Sequence, residues 1–309
     1  MNRSLHFGLF HLSASKRPLG LLLAFTLIVG VVGTWPVAEP RGAESPSESR
    51  VIDSSFWSGS LGRHMPLKVY LPPGYESDNA SRFPVLYMLH GLGGSHAEWQ
   101  RQGLFDAATA LIRQGDIPPM IIVTPEGESG YWINHAGNGP RYGSYVSRDL
   151  VSYIDSAYRT EAKGAARAIG GMSMGGHGAL QLALNNPGEF EIVGAHSVAL
   201  RTKEQAFDFF GDSAYFQAHD PLSIAARDAA RARGIKIWID IGSSDPWFAR
   251  AQQFHQQLQS QDIDHVWQPW AGGHDGVYWS AHVADYLRYY GSAFTALTNE
   301  AVLTAQGQR

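Results

Sequence analysis

The chain has 309 residues, a hydrophobic content of 44%, a formal net charge of −4 and no cysteine. This length and apolar content suffice for one large core, while the mild acidity and the lack of a basic cluster give no electrostatic reason to expect nucleic acid as a partner. Without cysteine, the chain can form no disulfide and carry no lipid-modified cysteine.

The amino-terminal part has the pattern of an export segment. Arg3, Lys16 and Arg17 precede an apolar stretch at 19–33, and a segment rich in Glu, Ser and Pro follows. An apolar stretch of about fifteen residues is short for a permanent span, which favours a cleaved signal, whereas the long basic region favours a retained anchor. We therefore expect 1–50 to be a signal peptide or signal anchor plus linker. The protein would be periplasmic or secreted, touching the membrane only through this segment.

The remainder alternates between two kinds of stretch. Residues 51–71 predict antiparallel strands at the start of a catalytic domain over 51–295, with a C-terminal tail at 296–309. Apolar runs typical of buried strands lie at 84–89, 119–124, 166–170, 191–196, 235–241 and 265–270. Stretches with helical spacing lie at 103–113, 145–158, 174–186, 248–261 and 279–293. This alternation predicts a mostly parallel sheet with helices on both faces.

A glycine loop, His90-Gly91-Leu92-Gly93-Gly94, follows the first of these buried strands. Glycines allow backbone N–H groups to approach a ligand closely. We expect the N–H of Leu92 to be one oxyanion donor, with His90 shaping the loop rather than transferring protons.

The loop after the next strand contains Tyr131, Trp132 and Asn134, which we take as candidate substrate-binding residues. It should lie at the carboxyl edge of the sheet, where aromatic rings could stack on a sugar or a phenolic acyl group. A well-packed surface loop explains the same residues equally well. The phenylalanine-rich segment 207–218 likewise predicts either a cap over the site or part of the core.

Gly171-Met172-Ser173-Met174-Gly175 is the single Gly-x-Ser-x-Gly of the chain, and it lies between a predicted strand and a predicted helix. A sharp strand-to-helix turn forces Ser173 into a strained conformation and leaves room only for glycine on both sides. The exposed hydroxyl and the backbone N–H of Met174 would then face the same point. A glycine-rich helix start with a surface serine is the alternative. As a nucleophile elbow, the motif predicts an α/β-hydrolase fold.

A serine nucleophile needs a base and an acid to orient that base. In the α/β-hydrolase order both follow the serine on loops after later strands. Asp240 and Asp245 follow the strand at 235–241, and we prefer Asp245 because it lies beyond the glycine on the loop itself. His274, in a glycine turn after the last strand, is the expected base.

The other histidines are assigned less active roles. His177 lies one helical turn after Ser173 and is expected to pack near the elbow, and His196 is expected in the pocket or the core. No His-Glu-x-x-His motif occurs, and no histidine pair has convincing metal-ligand spacing,. We therefore expect neither a metal nor another cofactor.

Several motifs together resemble the putative esterase family of α/β hydrolases, which includes esterase D (S-formylglutathione hydrolase), feruloyl and xylan acetyl esterases, and mycolyltransferases. They extend from about Ser55 to Phe294, and include the strand with His90-Gly91, the elbow, the Asp240-to-Asp245 loop and Gly272-Gly273-His274-Asp275. The resemblance implies Ser173, Asp245 and His274 as the triad, with Leu92 and Met174 as oxyanion donors. Ala195-His196-Ser197-Val198-Ala199 departs from the Ser-Gly pair that often lines the family's pocket.

We therefore expect an exported serine carboxylesterase that works through an acyl-enzyme, with a small-molecule or carbohydrate-linked ester, such as an acetyl or feruloyl ester, as substrate. One alternative is an acyltransferase of the mycolyltransferase type, in which a hydroxyl replaces water. The others are an S-formylglutathione hydrolase-like thioesterase and an inactive, carbohydrate-binding hydrolase scaffold. The sequence leaves the acyl specificity and the oligomeric state open.

Overall fold

A computed structural model describes residues 48–77 and 79–307 of the chain. Its centre is an eight-stranded sheet with the order β1-β2-β4-β3-β5-β6-β7-β8. The strands are β1 Arg50–Ser58, β2 Arg63–Leu71, β3 Val85–Leu89, β4 Ile121–Pro125, β5 Arg167–Met172, β6 Ile192–His196, β7 Lys236–Gly242 and β8 His265–Trp270. β1 pairs antiparallel with β2, β2 pairs antiparallel with β4, and all other neighbours are parallel.

Helices cover both faces of this sheet. They are α1 Glu98–Arg101, α2 Leu104–Gln114, α3 Tyr142–Ser144, α4 Val151–Ala157, α5 Met174–Asn185, α6 Ser213–His219, α7 Pro221–Arg227, α8 Ala229–Arg233, α9 Phe248–Ser260 and α10 Gly276–Gly307. A π-helical turn, Tyr145–Leu150, joins α3 to α4, and short 3₁₀ turns lie at Gly164–Ala166, Lys203–Gln205 and Asp208–Phe210. One core cluster packs α4, α5, α7 and α9 on one face, and a second packs α2 and α10 on the other.

Burial explains why the central strands form a parallel sheet. β3, β4, β5 and β6 are buried along their whole lengths, because helices cover both of their faces,. The antiparallel β1 is more exposed and has an alternating pattern. The prediction of a mostly parallel, helix-covered sheet that starts with antiparallel strands is therefore confirmed.

The connectivity brings distant loops to one edge of the sheet. After β3 the chain adds β4 on one side, and then adds β5 on the other side of β3. Loops at the carboxyl ends of parallel strands beside such a reversal form a crevice suited to ligands. The loops after β3, β5, β7 and β8 carry Leu92, Ser173, Asp245 and His274, respectively.

The structure differs from the predicted boundary at the carboxyl end of the domain and does not describe most of the amino-terminal segment. α10 continues to Gly307, so residues 296–307, expected as a tail, extend the last helix of the domain. The predicted export segment lies outside the described residues, apart from the last few positions of its linker. Within the described ranges, no helix is both long and apolar enough to cross a membrane.

Candidate active site

The turn between β5 and α5 holds Ser173 in a strained backbone conformation, with φ 55° and ψ −116°. Its N–H donates to the carbonyl of His196 over 3.0 Å, and its own carbonyl accepts from the N–H groups of His177 and Ala199. A Cβ at Gly175 would overlap the Leu89 carbonyl, so the turn can pass this close to β3 only with glycine there,. The observed geometry is that of a nucleophile elbow.

Three side chains from different loops meet at this elbow. Ser173 Oγ lies 2.8 Å from His274 Nε2, and His274 Nδ1 lies 2.8 Å from Asp245 Oδ2. Because a carboxylate only accepts hydrogen bonds, Nδ1 carries the proton and Nε2 is free to accept from the serine hydroxyl. The structure thus places the three predicted triad residues in one hydrogen-bonded chain, although they are up to 101 positions apart in the sequence.

The three side chains differ in their exposure to solvent. The Asp245 side chain is fully buried, whereas the His274 side chain is 21% exposed and Ser173 is 8% exposed. The second carboxylate oxygen of Asp245 accepts the backbone N–H of Trp247 over 2.8 Å. The Asp245 carboxylate is therefore held in place away from solvent, whereas the Ser173 end of this hydrogen-bonded series is open to a ligand.

The loop after β3 lies against the serine. A Cβ added to Gly91 would be 3.4 Å from the Ser173 Cβ. The Gly91 carbonyl accepts from His90 Nδ1 over 2.8 Å and from the Gly94 N–H over 3.0 Å. Since the C=O and N–H of one peptide point in opposite directions, these bonds turn the Leu92 N–H away from His90 and Gly94.

His90 is held in turn by its other ring nitrogen, Nε2, which accepts the N–H of Gly127 over 2.9 Å. Beside it, burial alone would raise the pKa of Glu126, but hydrogen bonds from His96 and from the backbone N–H of Glu128 hold that pKa well below its usual value. Met174, whose N–H is the other predicted oxyanion donor, is the first residue of α5 and directly follows Ser173.

The predicted substrate-binding residues lie in a different setting. Tyr131 and Trp132 are fully buried. The Tyr131 hydroxyl accepts from Arg201 Nε, and Trp132 Nε1 donates to the His90 carbonyl. Both rings pack against α5 and the 207–210 segment as part of the core. Because neither ring has a face exposed to a ligand, the expected stacking role is not supported.

Asn134, the third of these candidates, is half-buried and bonds to Ser144 through both atoms of its side-chain amide. The 207–218 segment is divided in the same way. Phe210 and Phe216 belong to the core, whereas Phe207 and Phe209 are partly exposed against it.

Ser197 was not assigned a role from the sequence, although it follows β6 directly at the same edge of the sheet. Its hydroxyl donates to Asp245 Oδ2 and lies 3.1 Å from His274 Nδ1. The available signal was a polar residue just after a buried strand next to β5.

A shallow cavity of about 300 Å³ adjoins the Asp245 loop, lined by Leu200, Thr202, Gln205, Pro246, Trp247, Ala249, Arg250 and Gln253.

Asp240, the rejected acid, belongs to a second buried network below the site. It lies 2.6 Å from His196 Nδ1, and His196 Nε2 lies 2.8 Å from the Tyr290 hydroxyl. Asp240 also accepts hydrogen bonds from Trp238, Tyr278 and Tyr286. Among the described residues, no group of three His, Cys, Asp or Glu side chains is arranged to hold a metal ion.

A strained serine elbow at the carboxyl edge of a mostly parallel, helix-covered sheet defines the α/β-hydrolase class. Within that class the chain belongs to the putative esterase family, whose model matches residues 58–290. It is an enzyme that acts on carboxylic ester bonds.

The chain is similar to several esterases. An acetyl esterase of Caldicellulosiruptor saccharolyticus is 21% identical over 260 residues, covering 76% of this chain and 96% of the relative. An esterase of Mycobacterium tuberculosis is 27% identical over 253 residues, covering 71% of this chain and 54% of the relative. The chain therefore spans nearly all of the first relative but about half the length of the second.

Solved structures show the same fold. A ferulic acid esterase matches with a TM-score of 0.73 and 25% identity, over 80% of this chain and 99% of its own. An S-formylglutathione hydrolase from Staphylococcus aureus matches with a TM-score of 0.66 and 20% identity, over 79% and 99% of the two chains. The second likeness concerns the fold alone.

Proposed function

We propose that the protein is an exported serine carboxylesterase that works through an acyl-enzyme intermediate. The observation that carries this proposal is the hydrogen-bonded chain from Ser173 through His274 to Asp245, open to solvent at the serine end. In the first step His274 Nε2 takes the Ser173 proton while Oγ attacks the ester carbonyl. Asp245 stabilises the imidazolium that forms, and the same nitrogen then protonates the leaving alcohol.

The negative charge that develops on the carbonyl oxygen needs donors that are already in place. The N–H of Met174 at the start of α5 and the N–H of Leu92 are the two groups that we assign to this oxyanion. The bond from His90 to the Gly91 carbonyl supports the Leu92 assignment, because it fixes the orientation of that peptide. Water activated by His274 then hydrolyses the acyl-enzyme and restores the serine.

For the substrate we propose an acetyl or feruloyl ester of a carbohydrate. This proposal rests on the likeness to named esterases rather than on a cavity, because the cavity beside the Asp245 loop is lined by none of Ser173, His274 and Leu92. The acetyl esterase and ferulic acid esterase relatives are consistent with either acyl group.

The test is a set of substrates assayed with purified protein and with the Ser173→Ala variant as a blank. It includes acetyl, feruloyl and longer-chain acyl esters, each on a sugar and on a simple alcohol, together with S-formylglutathione. We expect the highest kcat/KM on a carbohydrate-linked acetyl or feruloyl ester. A preference for S-formylglutathione would contradict the proposal and favour the thioesterase alternative.

Hydrolysis and acyl transfer differ only in the acceptor that enters second. Adding sugar alcohols to the assay and measuring the ratio of transfer product to free acid distinguishes them. We expect free acid to dominate, whereas dominant transfer would favour the acyltransferase alternative. An inactive binding scaffold does not fit the esterase family or the assembled triad geometry.

Export is proposed from the sequence of the amino-terminal segment. A reporter fused after Arg50 should appear in the periplasm or the medium, and a mature chain should start between Thr34 and Glu44 if the signal is cleaved. Recovery of active protein with Met1 intact from the cytosol would contradict export. Recovery of the full-length chain in the membrane fraction would indicate the retained anchor.

A further inference from the structure

Ser197 contacts both members of the acid–base pair, yet the mechanism above does not use it. Its hydroxyl donates to Asp245 Oδ2, the oxygen that also accepts from His274 Nδ1. Because the carboxylate can only accept, the hydroxyl proton points to Asp245 and the oxygen lone pairs face His274 Nδ1, 3.1 Å away,. Ser197 is fully buried, so water does not compete for these contacts.

The backbone places this hydroxyl by an uncommon conformation. Ser197 has a φ of 51°, close to the value at the nucleophile, and its N–H donates to the Asp240 carbonyl over 2.8 Å. A positive φ is unfavourable for a residue with a Cβ and persists only where the surroundings impose it. Glycine would adopt this conformation without strain, so the turn itself does not require a serine. What serine adds over glycine is the hydroxyl.

We propose that Ser197 is a positioning residue that keeps the Asp245 carboxylate turned toward His274 during both steps of the reaction. This inference rests on the proposed acyl-enzyme mechanism. Asp245 Oδ1 is held by the Trp247 N–H, and Oδ2 is held by Ser197 in addition to His274. Without the hydroxyl, the histidine alone would restrain Oδ2, and the terminal torsion of an aspartate is intrinsically broad.

The experiment compares Ser197→Ala and Ser197→Gly with a matched control, Ser58→Ala. Ser58 is also fully buried and donates to a carboxylate, Asp149 Oδ2, over 2.6 Å, but it lies at the end of β1. Ser197→Gly relieves the backbone strain, so loss of activity in both Ser197 variants points to the hydroxyl. Near-ultraviolet circular dichroism and Tm report the folded fraction of each variant.

In both Ser197 variants we expect kcat to fall about tenfold with KM changed less than about twofold, the order expected for the loss of one hydrogen bond to a charged group. Ser58→Ala should lower Tm while keeping kcat. The low-field proton resonance of His274 Nδ1–H should shift in the Ser197 variants and stay in place in the control, since only they change the contacts of that proton.

Full kcat per folded molecule in both Ser197 variants would overturn the inference, as would an unchanged Nδ1–H resonance. Ser173→Ala separates this failure from failure of the mechanism. If Ser173→Ala is inactive and the Ser197 variants are fully active, only the positioning role is wrong. If Ser173→Ala retains activity, the acyl-enzyme proposal itself fails.

Discussion

Two His–Asp pairs lie near the carboxyl edge of the sheet, and each histidine contacts a hydroxyl through its other nitrogen. In one, His274 joins Asp245 to Ser173, and in the other, His196 joins Asp240 to Tyr290. The distances between partners are almost the same, from 2.6 to 2.8 Å. Connectivity alone therefore does not separate a reactive site from a structural one.

The surroundings of the two pairs differ in ways that decide their chemistry. His196, Asp240 and Tyr290 are all fully buried, whereas His274 and Ser173 can be reached from solvent. Burial raises the pKa of Tyr290 well above its ordinary value, so its hydroxyl stays protonated. Added Cβ atoms at Gly170 and Gly194 would overlap this hydroxyl, which shows how tightly the sheet encloses it. No ester can reach it.

The fully buried His196–Asp240 pair nevertheless supports the solvent-accessible His274–Asp245 pair. The Ser173 N–H donates to the His196 carbonyl, and the Ser197 N–H donates to the Asp240 carbonyl. The backbone that the buried network anchors thus holds the elbow and the positioning serine. We therefore predict that variants of the His274–Asp245 pair change turnover and that variants of the His196–Asp240 pair change stability.

The largest expected effect is at the open hydroxyl. Ser173→Ala should lower kcat for ester hydrolysis by about 10⁴-fold or more, because no other group can form the acyl-enzyme. The matched variant is Tyr290→Phe, which removes the hydroxyl of the sealed pair and should keep near-normal kcat. Near-normal turnover in Ser173→Ala would disprove the nucleophile assignment.

The two carboxylates should differ in kind. Asp245→Asn should lower kcat by roughly 10³- to 10⁴-fold with the fold intact, since an amide cannot hold the productive tautomer of His274. Asp240→Asn should instead lower the free energy of unfolding by about 3–5 kcal/mol, because it removes a buried carboxylate that accepts four side-chain hydrogen bonds, one of them from its partner His196,.

Steady-state kinetics and urea unfolding of both variants provide the check. A larger loss of kcat in Asp240→Asn than in Asp245→Asn would move the triad acid to Asp240. Large losses in both, with Asp240→Asn still folded, would mean that the buried network also sets the geometry of the loops above it.

Tyr290→Phe should lower the free energy of unfolding by about 1–3 kcal/mol, because it leaves His196 Nε2 buried without a partner,. Chemical denaturation with unchanged slope would measure this loss. Unchanged stability would mean that the sealed pair is maintained without its hydroxyl, and would weaken its proposed structural role.

A third histidine, His177, allows the effect of a buried neutral imidazole on the free energy of unfolding to be measured. Burial lowers the pKa of His177 to about 3, with further lowering from His219 and Arg201. Between its ordinary value of 6.5 and about 3, the unfolded chain binds a proton that the folded chain excludes. Stability from this residue is therefore complete above pH 6.5 and falls as the pH decreases, by up to ~1.4 kcal/mol per pH unit.

His177→Leu should reduce this acid-side slope relative to the unaltered protein, as measured by urea unfolding at a series of pH values from about 7 to 3.5. The carboxylates titrate in both proteins, so the difference between the two curves isolates His177. Identical curves would contradict a neutral, buried His177.

Sequence alone determined what depends on local pattern. The apolar runs and helical spacing predicted the strands from β3 to β8 to within a few residues, because burial on both faces leaves a continuous apolar run,. The Gly-x-Ser-x-Gly motif placed Ser173 on its turn, since only glycine permits so close an approach of the helix start to the neighbouring strand,. The order of the triad residues in α/β hydrolases then narrowed the candidates for the acid to Asp240 and Asp245 and indicated His274 as the base.

Tertiary structure decided which polar and aromatic side chains reach the site and which are sealed. Asp240 and Asp245 lie only five positions apart in the sequence. Asp240 lies within the sheet and accepts hydrogen bonds from tyrosines of α10, whereas Asp245 lies on the loop that follows and contacts His274. Tyr131 and Trp132 reach the expected edge but are enclosed by packing. Ser197 gains its partners from residues 48 and 77 positions away. Such outcomes depend on how distant segments pack, which local pattern does not specify.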